Sequence, residues 1–219
     1  MGNWITLDTA RGPVAAWHTT HTAAPRGGLV VIQEIFGANA HIRAVADGYA
    51  ADGYEVLAPA FFDLVEKDVE LDYDAAGRDK GLALVEALGV DAALAVVDAA
   101  AKALAGAGKV GTVGYCWGGS IALLSALRLG LPSVSYYGAR NTRYLDEKPW
   151  APVMFHFGSL DTSIPPEAIQ LHRQRLPSMQ TFVYPAGHAF NRKGGPQYHA
   201  DSADLARERT LAFFSENLR

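Results

Sequence analysis

The sequence has 219 residues, of which 49% are apolar and 19% are charged, and its formal net charge is -4. This length suits one α/β domain with a substantial core, and the composition excludes a disordered chain. The slightly acidic balance gives no electrostatic reason to expect a nucleic acid or an anionic membrane as a partner. The single cysteine, Cys116, excludes an internal disulfide and argues against a cysteine-rich zinc site.

Targeting and membrane segments are not expected. The N-terminal sequence has no basic stretch followed by a long apolar run, which a signal peptide would need. No apolar stretch approaches the roughly 18 residues of a membrane span. We therefore expect a soluble, cytoplasmic protein that works as a monomer.

Short apolar runs, taken in chain order, predict the strands. The first two runs, 4–7 and 14–17, have no helix between them and predict an antiparallel hairpin at the edge of a sheet. The later runs are short and continuously apolar, which is typical of strands covered on both faces. These runs are 29–32, 54–57, 110–113, 134–137, 153–157 and 181–184.

Segments with the apolar spacing of a helix lie between the later runs, at 42–49, 90–101 and 211–218. The charged stretch 61–80 has no such period and is interpreted as a surface excursion. Strand–helix alternation predicts a doubly wound, mostly parallel sheet with helices on both faces, in a single domain spanning residues 1–219. Ligand sites in such sheets lie beyond the carboxyl ends of the strands.

The strongest local motif is the sequence Gly-Tyr-Cys-Trp-Gly at 114–118, directly after a predicted strand and before a helical segment. It has the pattern of the nucleophile elbow of the α/β-hydrolase fold, with Cys116 where serine usually stands. Side chains at the glycine positions would collide with neighbouring backbone in such a turn. The dipole of the following helix favours a thiolate and a developing oxyanion. The structural alternative is a buried cysteine in a glycine-rich turn.

Two further residues complete a candidate catalytic triad. Asp161 follows the run 153–157 and His188 follows the run 181–184, in the order acid then histidine that this fold uses. His188 would take the thiol proton and Asp161 would fix its tautomer. Taken singly, Asp161 also fits a loop-capping aspartate, and His188 also fits a histidine in a turn.

An oxyanion hole requires two backbone N–H groups. Trp117 is the candidate for the first donor, and Ile35, after the run 29–32, is the candidate for the second. Glu34 places a carboxylate at the end of the same apolar run, where burial is costly unless the charge is paired. Glu34 is therefore expected either to take part in proton transfer or to neutralise a cation. A purely structural salt bridge is the alternative without a role in catalysis.

The remaining histidines are interpreted structurally. His156 lies within a predicted strand and is expected to be a hydrogen-bonded core residue. None of the others follows a strand in a way that points to the elbow. Surface positions are expected for these five residues: His18, His21, His41, His172 and His199.

Four motifs together resemble the dienelactone hydrolase family. They are Gln-Glu-Ile-Phe-Gly at 33–37, Gly-Tyr-Cys-Trp-Gly-Gly at 114–119, Tyr-Tyr-Gly at 136–138 and Gly-His-Ala-Phe-Asn-Arg at 187–192. The resemblance extends from about Val14 to Phe214. It implies a single α/β-hydrolase domain that uses no metal and no cofactor and hydrolyses dienelactone, an unsaturated lactone that bears a carboxylate, during chloroaromatic breakdown.

The resemblance also implies roles for individual residues. Glu34 matches the glutamate that accepts the thiol proton when substrate arrives, in addition to the triad of Cys116, Asp161 and His188. Arg192 matches one arginine that binds the substrate carboxylate. Arg78, in a stretch where the match is weak, falls near the second such arginine. Two aromatic residues are expected to line the substrate pocket: Tyr137 and Phe36.

A cysteine nucleophile favours activated esters and lactones over amides, because a thiolate is itself expelled readily from a tetrahedral intermediate. The stabilised enolate of an enol lactone competes well with the thiolate as a leaving group. A neutral carboxylester or a thioester is the alternative substrate for the same fold and triad. The alternative outside enzymes is a degenerate hydrolase that binds ligands or senses oxidants through its lone thiol.

Overall fold

The computed structural model describes residues 2–21 and 23–218. By its contacts, the chain divides into two compact units, of which the first runs to Thr112 and includes Leu218. The second unit spans Val113–Asn217. Each unit is built from strands and helices that follow one another along the chain. The prediction that residues 1–219 form a single domain stays a prediction.

The first unit contains an antiparallel hairpin beside two parallel strands. Strands β1 (Asn3–Thr9) and β2 (Gly12–Thr19) pair antiparallel, which confirms the hairpin predicted from the first two apolar runs. Strand β2 also pairs antiparallel with β4 (Glu55–Pro59), and β4 runs parallel to β3 (Gly28–Ile32). The strand order β1-β2-β4-β3 leaves β1 at the edge, as expected.

Helix α1 (Ala40–Ala51) begins directly after a polar cap. The side chain of Asn39 accepts a hydrogen bond from the N–H of Ile42 at 3.2 Å, and satisfies one of the donors that the first turn of a helix leaves unpaired. The predicted apolar face is buried through Ile42, Ala46 and Tyr49. This face directs α1 onto the strands of the first unit.

Helix α2 (Ala75–Ala103) is longer than the sequence predicts. Asp74 caps it by accepting a hydrogen bond from the N–H of Gly77 at 2.7 Å. Gly89, with φ 70° and ψ 164°, breaks the helical backbone and divides α2 into two parts. The interpretation of 61–80 as a surface excursion is wrong in part, because Phe61 and Phe62 are buried in a short 3-10 helix and α2 has begun by residue 75.

The second unit contains the carboxyl-terminal end of β5 (Val110–Tyr115), three further strands and three helices. These are α3 (Trp117–Leu124), β6 (Ser133–Tyr136), β7 (Val153–Gly158), α4 (Pro166–Arg175), β8 (Gln180–Tyr184) and α5 (Ala200–Asn217). The strand order is β5-β6-β7-β8, and both β6-β7 and β7-β8 are parallel pairs. The mostly parallel arrangement predicted from the apolar runs is therefore confirmed.

The interior of the second unit tests the structural interpretation of two histidines. His156 is completely buried in β7, which confirms its prediction as a core residue. The surface prediction for His172 is wrong, because only 1% of this residue is exposed. Helix α4 places its ring against Phe155 and Phe157, at centroid distances of 4.8 and 4.7 Å.

Candidate active site

Cys116 occupies a strained turn between β5 and α3, with φ 55° and ψ -115°. This left-handed backbone is costly for a residue with a Cβ, by about 1–3 kcal/mol, and persists only where the surroundings hold it. A Cβ at Gly114 would overlap the carbonyl oxygen of Gly118, and one at Gly119 would lie 2.6 Å from the carbonyl oxygen of Tyr136. Close backbone approach therefore requires glycines around the nucleophile position, as the sequence predicts.

His188 and Asp161 are joined by a hydrogen bond in the same unit. The Nδ1 of His188 donates to Oδ2 of Asp161 at 2.7 Å, and the carboxylate is fully shielded from solvent. The N–H of Ser163 donates to the other carboxylate oxygen at 2.7 Å. The carboxylate is thus held from two sides. It fixes the histidine tautomer in which Nε2 is left for a further partner.

The side chain of Cys116 is also hydrogen-bonded to His188. Burial acts to lower the pKa of the imidazole, but its hydrogen bonds with Asp161 and Cys116 and its electrostatic attraction to them together outweigh burial and raise the pKa of His188 to about 10. The imidazole is therefore protonated at neutral pH.

Trp117, the predicted first oxyanion donor, is the first residue of α3. The first N–H groups of a helix have no acceptor within the helix itself, and the helix dipole adds positive potential at that end. Cys116 directly precedes this helix as its N-cap residue. An oxyanion that forms on a carbonyl attacked by this sulfur would therefore lie at the positive end of α3.

Tyr137 also reaches this part of the second unit. Its ring centroid lies 5.1 Å from that of His188, and the residue is completely buried. Its backbone is left-handed with φ 40°, and its N–H donates to the carbonyl oxygen of His156 at 2.8 Å. The structure therefore brings four of the predicted residues together in one unit: Cys116, Asp161, His188 and Tyr137.

Three predicted residues lie on one loop of the first unit, directly after β3. Glu34 is completely buried, and Ile35 and Phe36 are only 7% and 8% exposed. A loop that is buried to this degree must have its backbone and side chains held by neighbouring structure. The loop is residues 33–39, which end at the cap of α1.

Two glycines allow other segments of the first unit to approach this loop closely. A Cβ at Gly81 of α2 would overlap the carbonyl oxygen of Ile35. Gly37 has φ 86°, and a Cβ there would overlap the carbonyl oxygen of Val69. Backbone therefore lies directly against backbone on both sides of the loop, and any larger side chain at either position would displace it.

Side chains hold the same loop. The ring of Tyr73 packs edge-on against Phe36 at 4.7 Å, and its hydroxyl accepts a hydrogen bond from Nδ2 of Asn39 at 2.9 Å. Near the start of the loop, Oε1 of Gln33 accepts a hydrogen bond from the N–H of Phe61 at 3.2 Å. The segment between β4 and α2 thus supports the loop that carries Glu34.

The two predicted arginines lie on separate elements. Arg78 is exposed in the first turn of α2, where its N–H donates to the carbonyl oxygen of Asp74 at 3.0 Å. Arg192 is half-buried in a loop of the second unit that is closed by a 3.0 Å hydrogen bond from the N–H of His199 to the carbonyl oxygen of Phe190. The role predicted for both arginines, binding of the substrate carboxylate, stays a prediction from the sequence.

Neither a metal site nor a membrane helix is found in the described residues. Across 2–21 and 23–218, no group of three or more His, Cys, Asp or Glu side chains is arranged to hold a metal ion. In the same ranges, no helix combines the length and the apolar character needed to cross a membrane.

Sequence reasoning missed three residues that support these side chains. Ser163 follows Asp161 by two residues, a spacing at which aspartate often accepts from backbone, so the sequence held a signal for it. Gly81 lies four residues after Gly77 on α2, and two glycines at that spacing indicate one helix face that permits close approach. No local pattern pointed to Tyr73, because its contacts are with residues more than thirty positions away.

Comparisons with known proteins identify the family of this chain. The model of the dienelactone hydrolase family matches residues 14–218. The carboxymethylenebutenolidase of Pseudomonas putida is 33% identical over 204 residues, which cover 88% of this chain and 86% of that protein. The carboxymethylenebutenolidase of Pseudomonas knackmussii matches with the same identity and coverage.

Solved structures show the same fold. A proposed dienelactone hydrolase from Klebsiella pneumoniae superposes with a TM-score of 0.86 at 27% identity, covering 99% of this chain and 98% of the other. An esterase from Pyrococcus furiosus, 15% identical, has a TM-score of 0.67 over 100% of this chain and 94% of its own. The second similarity concerns the fold alone. Together they confirm the prediction of an α/β-hydrolase fold.

Proposed function

Because the chain belongs to the dienelactone hydrolase family, and so is a hydrolase of ester or lactone bonds, we propose that it opens a small enol lactone bearing a carboxylate through an acyl-cysteine intermediate. One observation carries this proposal. His188 is hydrogen-bonded through Nδ1 to the Asp161 carboxylate and is also hydrogen-bonded to the Cys116 side chain. An acid, a base and a nucleophile in this order have the geometry of an acyl-transfer triad.

The proposed reaction starts from the thiolate and the imidazolium. The sulfur of Cys116 attacks the lactone carbonyl carbon and forms a tetrahedral intermediate with negative charge on the carbonyl oxygen. The N–H of Trp117 stabilises that oxygen, and Ile35 keeps the role of second donor that the sequence predicts. The intermediate collapses by breaking the ring C–O bond, and the enolate oxygen takes the proton of His188. The products of this half-reaction are an acyl-cysteine, a tethered enol and a neutral imidazole.

Water completes the cycle. The neutral His188 takes a proton from the attacking water, while hydroxide adds to the thioester carbon. The second tetrahedral intermediate expels the sulfur of Cys116 as thiolate and releases the carboxylic acid, which loses its proton to solvent. Asp161 holds the imidazole in the productive tautomer throughout and stabilises its cationic form. Thiolate and imidazolium are thereby regenerated.

The substrate class follows from the family and from the two arginines. Arg192, and by the weaker match Arg78, are proposed to bind the substrate carboxylate, and Tyr137 and Phe36 are proposed to line the substrate pocket, as the family resemblance implies. A guanidinium forms two parallel hydrogen bonds to a carboxylate, which orients the lactone as well as binding it. Glu34 is proposed to accept the thiol proton of Cys116 when the substrate is bound, as the family resemblance implies, and this transfer yields the thiolate from which the reaction starts.

The proposed function is tested by comparing three substrates on the wild-type chain and on Cys116→Ser. We expect turnover of a dienelactone at a higher kcat/KM than of p-nitrophenyl acetate, and no measurable turnover of a simple amide. Cys116→Ser should lose activity by orders of magnitude, because a hydroxyl has a far higher pKa than a thiol. Efficient amide cleavage without lactone turnover would overturn the proposal, and turnover of neutral esters alone would reassign the substrate.

Three further properties stay predictions from the sequence. They are the cytoplasmic location, the monomeric state and a place in the breakdown of aromatic compounds. The monomer prediction is checked by light scattering of the purified chain, for which a mass corresponding to 219 residues is expected. A mass of twice that value or more would contradict it.

A further inference from the structure

The second unit contains a buried hydrogen-bond network besides the candidate triad. The Nδ1 of His156 lies 2.8 Å from the hydroxyl of Tyr184, and its Nε2 lies 3.1 Å from Oγ1 of Thr210. The hydroxyl of Tyr136 is 2.8 Å from the same Oγ1. Arg209 donates to the Tyr184 hydroxyl at 3.1 Å. The network therefore links the strands β6, β7 and β8 to helix α5.

The chemistry of the groups fixes the direction of each hydrogen bond. The only proton of the Thr210 hydroxyl goes to the carbonyl oxygen of Ala206, so the Thr210 oxygen accepts from Nε2–H of His156. Nδ1 of the neutral imidazole is then an acceptor, so the Tyr184 hydroxyl donates to it while the Tyr184 oxygen accepts from Arg209. One hydroxyl on α5, that of Thr210, thus determines the tautomer of a histidine that is completely buried in β7.

Thr210 is the point where the network ends. Its hydroxyl donates to the carbonyl oxygen of Ala206 at 2.8 Å, so its oxygen must accept from both Tyr136 and His156. One donor and two acceptor positions are all that a hydroxyl has, and each is used. Removal of this single oxygen would leave two buried donors without a partner.

The network keeps the same protons over a wide pH range. Burial, assisted by the charge of Arg209, lowers the pKa of His156 to about 3, so the imidazole is neutral at neutral and mildly acid pH. Burial also raises the pKa of Tyr184 above its ordinary value of 10.0, so the phenol stays protonated. The donor directions described above therefore do not change when the pH changes around neutrality.

The backbone of the same strand residues holds the nucleophile and the aromatic residue beside it. The carbonyl oxygen of Tyr136 accepts the N–H of Cys116 at 3.0 Å. The carbonyl oxygen of His156 accepts the N–H of Tyr137 at 2.8 Å. Both Cys116 and Tyr137 have left-handed backbones, which need such external support.

Tyr184 supports the other two triad residues in a similar way. Its carbonyl oxygen accepts the N–H of Ser159 at 2.7 Å and the N–H of Ala186 at 2.8 Å. Ser159 is two residues before Asp161, and Ala186 is two residues before His188. Three strand residues thus have two roles: Tyr136, His156 and Tyr184. The side chain of each takes part in the network. The backbone carbonyl group of each accepts a hydrogen bond from a triad residue, from Tyr137 or from a segment that leads to a triad residue.

We propose that Thr210 and Tyr184 are positioning residues for the triad, acting through the buried network and not through contact with substrate. This inference rests on the proposed function, because it concerns the same site. A displacement of about 1 Å at a reacting atom is enough to lower a rate by about a hundredfold, so a network that aligns three strand ends has a direct effect on catalysis.

The test removes one oxygen and restores it. Thr210→Val keeps the shape of the side chain but deletes the acceptor, and Thr210→Ser restores the acceptor with a smaller side chain. Thr181→Val is the matched control, because Oγ1 of Thr181 is buried without a hydrogen-bond partner in the described part of the chain. Tyr184→Phe breaks the network at a second point and keeps the ring, so that the test does not depend on one variant folding.

Two readouts separate positioning from stability. At a temperature where circular dichroism shows each variant to be folded, Thr210→Val and Tyr184→Phe should lower kcat by about tenfold or more with little change in KM. Thr210→Ser and Thr181→Val should stay within about threefold of wild type by the same reasoning. A purely structural role would lower the melting temperature and leave kcat of the folded enzyme unchanged, which would overturn the inference.

The second readout does not require turnover. Cys116 is the only cysteine, so the rate of alkylation by iodoacetamide at each pH reports the Cys116–His188 pair alone. Thr210→Val and Tyr184→Phe should shift this pH–rate profile, and the control should reproduce the wild-type profile. A wild-type chain with no esterase activity would refute the proposed function only, whereas unshifted profiles in the folded variants would refute the positioning role.

Discussion

The imidazole of His188 is hydrogen-bonded to the Asp161 carboxylate and to the Cys116 side chain, and these contacts raise its pKa from 6.5 to about 10 despite its burial. The folded protein therefore holds a proton here that the unfolded chain releases above pH 6.5. The stabilisation that this proton provides is fully present below pH 6.5 and is lost as the pH rises through about 10. Activity that depends on the imidazolium should fall over the same alkaline range.

Asp161→Asn tests this pH dependence. The amide has nearly the same shape but removes the negative charge, so the pKa of His188 should fall. The alkaline limb of the kcat/KM profile should then move to lower pH, and kcat at neutral pH should fall by about a hundredfold or more. An alkaline limb at the wild-type position in the folded variant would show that Asp161 does not control the imidazole.

Arg192→Ala tests how the substrate is recognised. A charge-assisted contact to a carboxylate contributes about 1.5–3 kcal/mol, so kcat/KM for an anionic lactone should fall by about tenfold or more. Turnover of neutral p-nitrophenyl acetate should be nearly unchanged. Lys193→Ala, which removes an exposed charge at the next position, is the control and should affect neither substrate. Equal losses on both substrates would remove the anchoring role of Arg192.

Among the larger elements, helix α2 supports the loop 33–39 by direct backbone approach at Gly81. Replacing a helical glycine with alanine usually stabilises a helix, by up to about 1 kcal/mol. Gly81→Ala should do the opposite, because the new methyl group overlaps the carbonyl oxygen of Ile35. We expect a lower free energy of unfolding in urea and a lower kcat, since Ile35 is the proposed second oxyanion donor.

Gly106→Ala provides the control for this prediction. A Cβ at Gly106 meets no atom within 4 Å, so the substitution should be neutral in stability and in activity. A Gly81→Ala chain that is as stable and as active as wild type would mean that the loop tolerates displacement. In that case Ile35 would lose its proposed role.

The strands of the sheet could be predicted from the sequence because each is a buried, continuous apolar run. The run 153–157 corresponds to β7 (Val153–Gly158), and the six later strands all begin within one residue of the predicted start. The nucleophile, acid and histidine positions could be placed at strand ends for the same reason. The elbow glycines followed from sterics alone, and the structure confirms the close contacts that they relieve.

Other elements had no such local signal. Helix α4 is short and mostly polar, with only Ile169 and His172 buried, so its sequence does not show an apolar face. Tyr73 and Gly81 act on a loop that lies far from them in the chain. The hydrogen bonds of His156 with Thr210 join residues 54 positions apart. Contacts of this kind depend on the tertiary fold, which a periodic pattern does not encode.

For the whole molecule, buried neutral histidines predict sensitivity to acid. Burial lowers the pKa of His156 to about 3 and that of His172 to about 4, whereas both bind protons below pH 6.5 in the unfolded chain. Their contribution to stability is therefore present above pH 6.5 and is lost as the pH falls towards these values. Between pH 7 and pH 5 each histidine should lower the free energy of unfolding by about 2 kcal/mol.

His172→Asn isolates one of these contributions. Nδ1 of His172 donates to the carbonyl oxygen of Ala168 at 2.7 Å, and the asparagine amide occupies a similar position without a titratable group. In the wild type, the free energy of unfolding in urea should fall between pH 7 and pH 5. In His172→Asn this decrease should be smaller by about 2 kcal/mol. His21→Asn, at an exposed position, should keep the wild-type difference. If His172→Asn showed the same pH-dependent decrease in the free energy of unfolding as the wild type, the assignment of a neutral buried imidazole would be contradicted.

The most direct measurement is the mass of the enzyme during turnover. The chain is mixed with p-nitrophenyl acetate, quenched in acid within milliseconds and analysed as intact protein and as peptides. We predict an added acetyl group on the peptide that contains Cys116 in the wild-type chain, and no such adduct in Cys116→Ala. Ester turnover by Cys116→Ala at the wild-type rate, or turnover by the wild type with no adduct on this peptide while a different residue is acylated, would contradict a cysteine nucleophile.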